Sequence, residues 1–522
     1  MNEPSTSPIA PGDARAVELG LVASLAVIVS WLVATSRSWP LVHDAPIMHY
    51  IAWRILEGDV PYRDLFDMNF PGLYLVHVAV VAMLGTSDAA WRVVDLGATG
   101  AAATLVFALA APWGRVPATG GALFFVAYHL AGGAWSAGQR DLLLCPALLG
   151  GAIGVAQWAE RGGLRPLWLG GAALGIGVTI KPHAFLYVAL LAGFMVVHAR
   201  RADRPAALPA AVLVGAAAIA PAAVVAWVIS LGAFGAWRDV VLGYLVPLYS
   251  QLVRSADWVW LRWKMWIAVA IALLLTLSRL VAVRGLTARH HVALLGLAYG
   301  LAHFVGQRKG WEYHLYPAAA FGALLLFGQV RPTLLTSPRL IGPALTAAVA
   351  AAIWIVAFDG ERAAASARLA DGWVVQKERL VTALAADLAA LTRPGEVVQV
   401  LDTTEGAVHA LLRRRLVQPT RFLYDFHFFH DIGTPTIERL RAEFLHALAT
   451  RPPALIVVTQ RDWLGAGYER ADRFDALAAD VGPAPSENAG TAFPALHDLL
   501  ARAYRLERQG DGYRIYAKRH DP

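Results

Sequence analysis

Ionisable side chains are scarce in this chain, and a few of them stand where they could do chemistry. Asp44 opens the stretch "HDAPIMHYIAWRILEGDVPYRDLFDMNFPGLYLVH". "GQRDLLLCP" sets Arg140 beside Asp141, and "TIKPH" places Lys181 two residues before His183. "GQRKGWEYHLYP" carries Arg308, Lys309, Glu312 and His314 with Trp311, Tyr313 and Tyr316. A carboxylate within hydrogen-bond reach of a hydroxyl can act as a general base. Arginine offers a planar fork to phosphate oxygens and lysine a compact point charge, so Arg140, Lys181, Arg308 and Lys309 together suit a phosphate or pyrophosphate. Taken singly, each feature has a plainer reading. An aspartate at a span end usually caps a helix, and a lone cation there usually snorkels towards headgroups. Four cations from separate loops tip the balance towards an anionic ligand. Trp311, Tyr313 and Tyr316 fit the aromatic belt of a membrane interface, or a face on which a sugar ring stacks.

The elements that must position these residues are membrane spans. The chain has 522 residues, 57% of them hydrophobic and 16% charged, which excludes an ordinary soluble protein. Apolar runs near the length of about 20 residues needed to cross a bilayer lie at 17–35, 91–111, 117–133, 142–158, 166–180, 184–198, 207–232, 264–283, 291–306, 315–330 and 340–358. These predict about 11 transmembrane helices. Phe70 to Gly85 is shorter, contains His77, and reads as a helix that only dips into the membrane. With that choice Arg115, Arg161, Arg165, Arg200, Arg201, Arg204, Arg279, Arg284, Arg289, Arg331 and Arg339 all fall on one side, the cytoplasm. The N-terminus is then cytoplasmic, and the candidate residues gather on the opposite face, in loops 36–90, 134–141, 181–183, 233–263 and 307–314. The first run reads as a retained span in the cell (inner) membrane, not a cleaved signal. Within the first outer loop, Ile47, Tyr50, Ile51, Ile55 and Leu56 are spaced for a juxtamembrane helix at the interface, ended by Gly58 and Pro61. The aromatic loop 233–263 reads as a second such helix.

Residues 1–363 thus form a membrane domain and 364–522 an extracytoplasmic α/β domain. In the tail, "EVVQVLDTTEGAVHALLRRR" reads as strand then helix, "PPALIVVTQRD" as a buried strand, and "HDLLARAYRLERQGDGYRIYAKR" as helix then hairpin. Asp402 and Glu405 follow the first strand, where open α/β sheets bind ligands, although an acidic turn is usually only a turn. "YDFHFFHD" mixes aromatics with His427 and His430, a pattern more often packing than metal. The 40 arginines and five lysines fit membrane lipids as partners, and no nucleic-acid module occurs. The single cysteine, Cys145, can form no internal disulfide. No nucleotide-binding glycine motif stands at a strand-to-helix junction.

The first-loop sequence, followed by Arg92 opening the second span, then "GQRD", then the basic "QRKGWEYH" loop, resembles the GT-C superfamily of polyprenyl-phosphate-sugar-dependent glycosyltransferases. Family 39 protein O-mannosyltransferases and the aminoarabinose transferases are the nearest in pattern. The resemblance covers about residues 15–360 in architecture, with the first loop its most specific part. It implies a base or acceptor-positioning role for Asp44 and a second acidic position at Asp141. It further implies donor-phosphate contacts from Arg92, Arg140, Lys181, His183, Arg308, Lys309 and His314, with Tyr62, Trp311, Glu312 and Tyr313 near the substrate. Two departures stand out: Ala45 follows Asp44 where many members have a second acid, and "FPG" replaces a double proline. No cofactor is required, and the resemblance leaves room for a divalent metal without naming ligands. The partners implied are a polyprenyl-phosphate-sugar donor and a glycan, lipid or protein acceptor. A transporter or flippase of lipid-linked glycan would use the same cations without a base, but it predicts internal repeats and midplane charges that are not seen. A noncatalytic scaffold is the remaining rival, suggested by the large tail.

Overall fold

The computed structural model describes residues 11–252, 264, 286–336, 341–459 and 493–519. Ten of the predicted spans coincide with helices: α1 (Pro11–Ser36), α4 (Asp88–Ala110), α5 (Arg115–Ala131), α6 (Arg140–Arg161), α7 (Arg165–Ile180), α8 (Phe185–Arg201), α9 (Ala207–Ser230), α11 (Ala288–Gln307), α12 (Tyr316–Phe327) and α13 (Ile341–Arg368). The run at 264–283 lies outside the described residues. Six described helical segments are long and apolar enough to cross a bilayer, among them Gly12–Ser36, Arg140–Arg161 and Ala207–Ser230. A polytopic helical membrane protein follows, since only helices or closed barrels satisfy every backbone group in hydrocarbon. Helix α3 (Pro71–Leu84) has 14 residues. At 1.5 Å per residue it spans about 21 Å, short of the bilayer core of about 30 Å.

Small residues bring the spans together. A side-chain carbon added at Gly154 of α6 would run into the Pro166 carbonyl of α7, and one at Gly171 of α7 into the Leu213 carbonyl of α9. Between helices in lipid, where apolar burial gains little, such close backbone approach supplies the dispersion contact. Gly72 does the same for α3, whose first turn rests on Thr179 near the end of α7.

Helix α2 (Asp44–Leu56) is the juxtamembrane helix of the first outer loop, and Gly58 follows it with φ 104°. The amphipathic pattern predicts one face towards lipid, yet every residue from Ala45 to Trp53 is buried. The reason is the tail, which covers it: Tyr50 donates from its hydroxyl to the Leu416 carbonyl at 3.2 Å and accepts from the Gln418 amide at 3.1 Å. The described part of the aromatic loop folds as α10 (Phe234–Val240) and one π-helical turn, Val241–Leu245; residues 253–263 lie outside the described residues.

Helix α13 runs through position 363, so the expected domain boundary falls inside a continuous helix. Helix α14 (Trp373–Leu391) then leads into a four-stranded sheet with order β1 (Val398–Leu401), β2 (Leu455–Thr459), β4 (Tyr513–Lys518), β3 (Tyr504–Gly510). Strands β1 and β2 are parallel and wholly buried, joined across α15 (Ala407–Arg414) and α16 (Pro435–Thr450), as continuous apolar runs require. The hairpin β3–β4 follows α17 (Pro494–Ala503) and closes the sheet antiparallel, with the charged β3 at its edge. Asp402 accepts backbone hydrogen bonds from Glu405, Gly406 and Ala407 and so caps α15; it is a turn residue. His427 and His430 both hydrogen-bond the Tyr244 hydroxyl, at 2.6 and 2.8 Å, and their rings pack among Phe66 and Phe426.

Candidate active site

A cavity of about 360 Å³ lies at one end of the helical bundle, lined by Asn69 and Phe70 of the first loop, Arg140, Lys181, His183, Tyr249, Gln307 and Lys309. Four residues named from sequence as phosphate ligands, Arg140, Lys181, His183 and Lys309, therefore share one cavity although 169 positions separate the first from the last. Each is delivered by a helix end. Arg140 is the first residue of α6, Lys181 caps α7, His183 sits in the turn before α8, and Lys309 follows α11.

Lys181 is buried and fixed from behind. Its Nζ lies 3.0 Å from Asp141 Oδ2, while Asp141 Oδ1 lies 2.7 Å from His303 Nε2. Gln307, one turn after His303 on α11, reaches the same ring and accepts from Lys181 at 3.5 Å. A carboxylate held this way aims a lysine, which is a different task from taking a proton. Lys309 Nζ donates to the Tyr249 carbonyl at 2.7 Å and to that of Leu252, and stands 4.2 Å from the Tyr249 ring centre. Burial, followed by the Arg140 charge, pulls Lys309 down to about 7. Arg140 contrasts with both lysines. Among the described residues its Nε is buried with no hydrogen-bond partner and no carboxylate forms an ion pair with it.

Asp44 is the first residue of α2, partly exposed, with Oδ1 3.0 Å from His43 Nδ1. Burial alone would raise its pKa. His43, then Arg140 and Lys181, more than offset this and hold the carboxyl below its ordinary value. The preceding His43 has φ 58°, a left-handed conformation that costs a non-glycine residue about 1–3 kcal/mol, and it turns the chain sharply off the first span into α2. Asp44, Asp67, Arg140 and Tyr249 all act on Tyr424 of the tail, so the tail reaches the same neighbourhood.

The remaining expected residues take other places. Arg92 donates to Asp95 and Ser36 and lies over the Trp39 ring at 4.5 Å, inside a closed cluster with His129; it does not line the cavity. Arg308 ends α11 in a left-handed conformation with its side chain exposed, so of two adjacent cations only Lys309 turns inward. Glu312 pairs with Lys264 at 2.8 Å. Trp311, Tyr313 and His314 form one ring cluster behind His303, with Tyr313 buried and near Arg140. Tyr62 is buried and donates to the Asn69 carbonyl at 2.7 Å, a brace for the loop. No group of metal-ligating side chains occurs among the described residues.

Gln307 and Asn69, which line this cavity, and His303 and Asp67, which hydrogen-bond them, are not among the residues expected from sequence. His303 and Gln307 stand four apart on one face of an apolar helix, and an intramembrane histidine is itself a signal. Asp67 and Asn69 stand in "FDMNFPG", where no spacing marks them.

No protein-family model matches the chain, and no curated protein does. Solved structures do. ArnT from Cupriavidus metallidurans bound to undecaprenyl phosphate aligns with TM-score 0.57 at 12% identity, covering 96% of this chain and 97% of that one. The apo state of the same protein aligns with TM-score 0.52 at 12% identity and the same coverage. At that identity the likeness is one of fold, and it extends through the soluble tail as well as the spans: the chain has a fold similar to that of ArnT.

Proposed function

We propose that this chain is an integral-membrane glycosyltransferase that moves a sugar from a polyprenyl-phosphate donor to an acceptor hydroxyl at the outer membrane surface. The observation that carries the reading is the cavity holding Arg140, Lys181, His183 and Lys309 in a chain folded like an enzyme crystallised with undecaprenyl phosphate. Buried cations are costly in hydrocarbon unless an anion joins them, and Arg140 has no carboxylate ion-pair partner among the described residues. A lipid-linked phosphate would supply that anion while its tail stayed in the bilayer.

In the reaction, the acceptor oxygen attacks the anomeric carbon and the bond from that carbon to the phosphate oxygen breaks. The electron pair goes to the phosphate, and the acceptor's proton goes to the Asp44 carboxylate, kept ionised by His43, Arg140 and Lys181. Arg140 and Lys181 stabilise the charge that grows on the leaving phosphate, and Lys309 adds to it. Asp141 and His303 hold Lys181 in place. The site faces outward when the arginine-rich loops are cytoplasmic, with the tail beside the site on the same side.

The test is sugar transfer by the purified full chain in proteoliposomes supplied with undecaprenyl-phosphate sugars and membrane glycolipid acceptors. Asp44→Asn should abolish transfer while leaving the protein folded and undecaprenyl phosphate bound. Full transfer by Asp44→Asn would remove the base from this scheme. Binding without any transfer by the wild type, together with movement of the lipid between leaflets, would favour a flippase.

A further inference from the structure

The cavity is rich in donors, and one of its residues is an exception. Asn69 lines it next to Arg140 and Lys181. Its side-chain orientation is decided by Asp67, whose Oδ1 accepts from the Asn69 backbone amide at 2.8 Å, from Asn69 Nδ2 at 2.9 Å and from the Tyr74 hydroxyl at 2.6 Å. The second amide hydrogen points to Met48 Sδ at 3.8 Å. With both hydrogens engaged, only the oxygen of the amide is left unmatched: among the described residues no donor reaches Asn69 Oδ1, which is itself buried. The arrangement is rigid: Asp67 is fully buried, Asn69 is 7% exposed, and Tyr62 holds the Asn69 carbonyl at 2.7 Å.

An unmatched buried acceptor beside a row of cations suits a ligand with both an anion and a hydrogen-bond donor. The phosphodiester of a lipid-linked sugar has no donor, so the donor must come from the glycosyl group. We propose that Asn69 Oδ1 is a sugar-reading acceptor that takes a hydrogen bond from a ring hydroxyl or amino group of the donor glycosyl, with Asp67 as its positioning residue. This inference rests on the glycosyltransferase reading. One consequence is discrimination between substrate and product, because the bare lipid phosphate left after transfer has nothing to give Asn69 and leaves it unmatched. Loss of one such hydrogen bond at a buried group weakens binding about tenfold.

The experiment measures binding of undecaprenyl phosphate and of a panel of undecaprenyl-phosphate pentoses and hexoses to the full chain in nanodiscs. Wild type should bind at least one sugar-bearing lipid about tenfold more tightly than the bare carrier. Asn69→Leu should erase that preference and hold bare-carrier affinity within about twofold, which also reports an intact fold. Asn69→Asp keeps an oxygen at the same place and can share one proton with Asp67, so it should keep the preference. The proposal falls if Asn69→Leu retains the preference, if it weakens bare and sugar-bearing lipids equally, or if Asn69→Asp behaves like Asn69→Leu. Failure of wild type to bind any of these lipids would instead overturn the glycosyltransferase reading itself.

Discussion

Two of the buried charge clusters described in the membrane part of this protein are built on opposite plans. In the first, Asp95 is met by Arg92 and by His129, accepts from the Gly138 amide, and His129 is in turn bonded to the Tyr316 hydroxyl at 2.7 Å. One carboxylate balances one guanidinium, and the cluster ties α4 to α5, α12 and the turn before α6. In the second, Asp141 pairs with Lys181, while among the described residues no carboxylate forms an ion pair with Arg140, which lines the same cavity. The first cluster is complete without a ligand. The second leaves the Arg140 guanidinium without a hydrogen-bond partner at Nε beside an open space, which is the physical difference between a brace and a binding site.

The comparison predicts different failures on the two sides. The largest effect is expected at Arg140, where Arg140→Gln should lower transfer by about 100- to 1,000-fold, as loss of a donor to developing charge does, with little change in melting temperature. The matching change in the first cluster, Arg92→Gln, should leave Asp95 uncompensated and cost about 3–5 kcal/mol of stability. Thermal unfolding in detergent would show it, while transfer per folded molecule stays near wild type. If Arg92→Gln abolished transfer without destabilising the protein, the two clusters would not be distinct in kind.

A finer test uses pH. Lys309 is held down to about 7, so it is charged below that pH and neutral above it. Donor affinity should therefore weaken as pH rises through about 7, by up to about tenfold for loss of one nearby charge, and Lys309→Arg should flatten the profile. Asp44 stays ionised throughout that window, because its carboxyl lies below the ordinary value, so the loss should come from Lys309 and not from the base. The smallest effect is expected at the tail. Arg421 donates to the Tyr62 carbonyl at 2.9 Å and pairs with Glu443, while the Phe66 amide donates to the Arg421 carbonyl at 2.7 Å. Arg421→Ala should loosen the loop bearing Asp67 and Asn69 and raise KM about three- to tenfold through the loss of one charged hydrogen bond.

Much of the fold was legible because bilayer physics writes itself into sequence. Apolar runs of the right length located ten of the described helices to within a few residues in most cases, and alternation with turn residues located the tail's strands. The candidate site was only partly legible. Arg140, Lys181, His183 and Lys309 stood out as cations where spans begin or end. Arg92 carried the same signal and went to a structural pair, because its neighbour Asp95 lies three residues on along the same helix face. Arg308 and Lys309 are adjacent, and the left-handed turn at Arg308 alone separates the exposed from the buried one. Helix α2 was recognised, but the burial of its residues 45–53 depends on a domain more than 350 residues further along the chain.

What the sequence by itself determined is therefore the set of local facts: which segments are greasy enough to enter a membrane, which carry charge to its surface, and which form a compact α/β tail. Only the tertiary structure decided which charges cancel and which remain open, because that depends on distances between helix ends far apart in the chain. It also decided that the first loop is gripped by the tail, and that one asparagine amide has a single orientation. Pairing energies fall off over a few ångströms, and no periodicity in a sequence encodes that spacing.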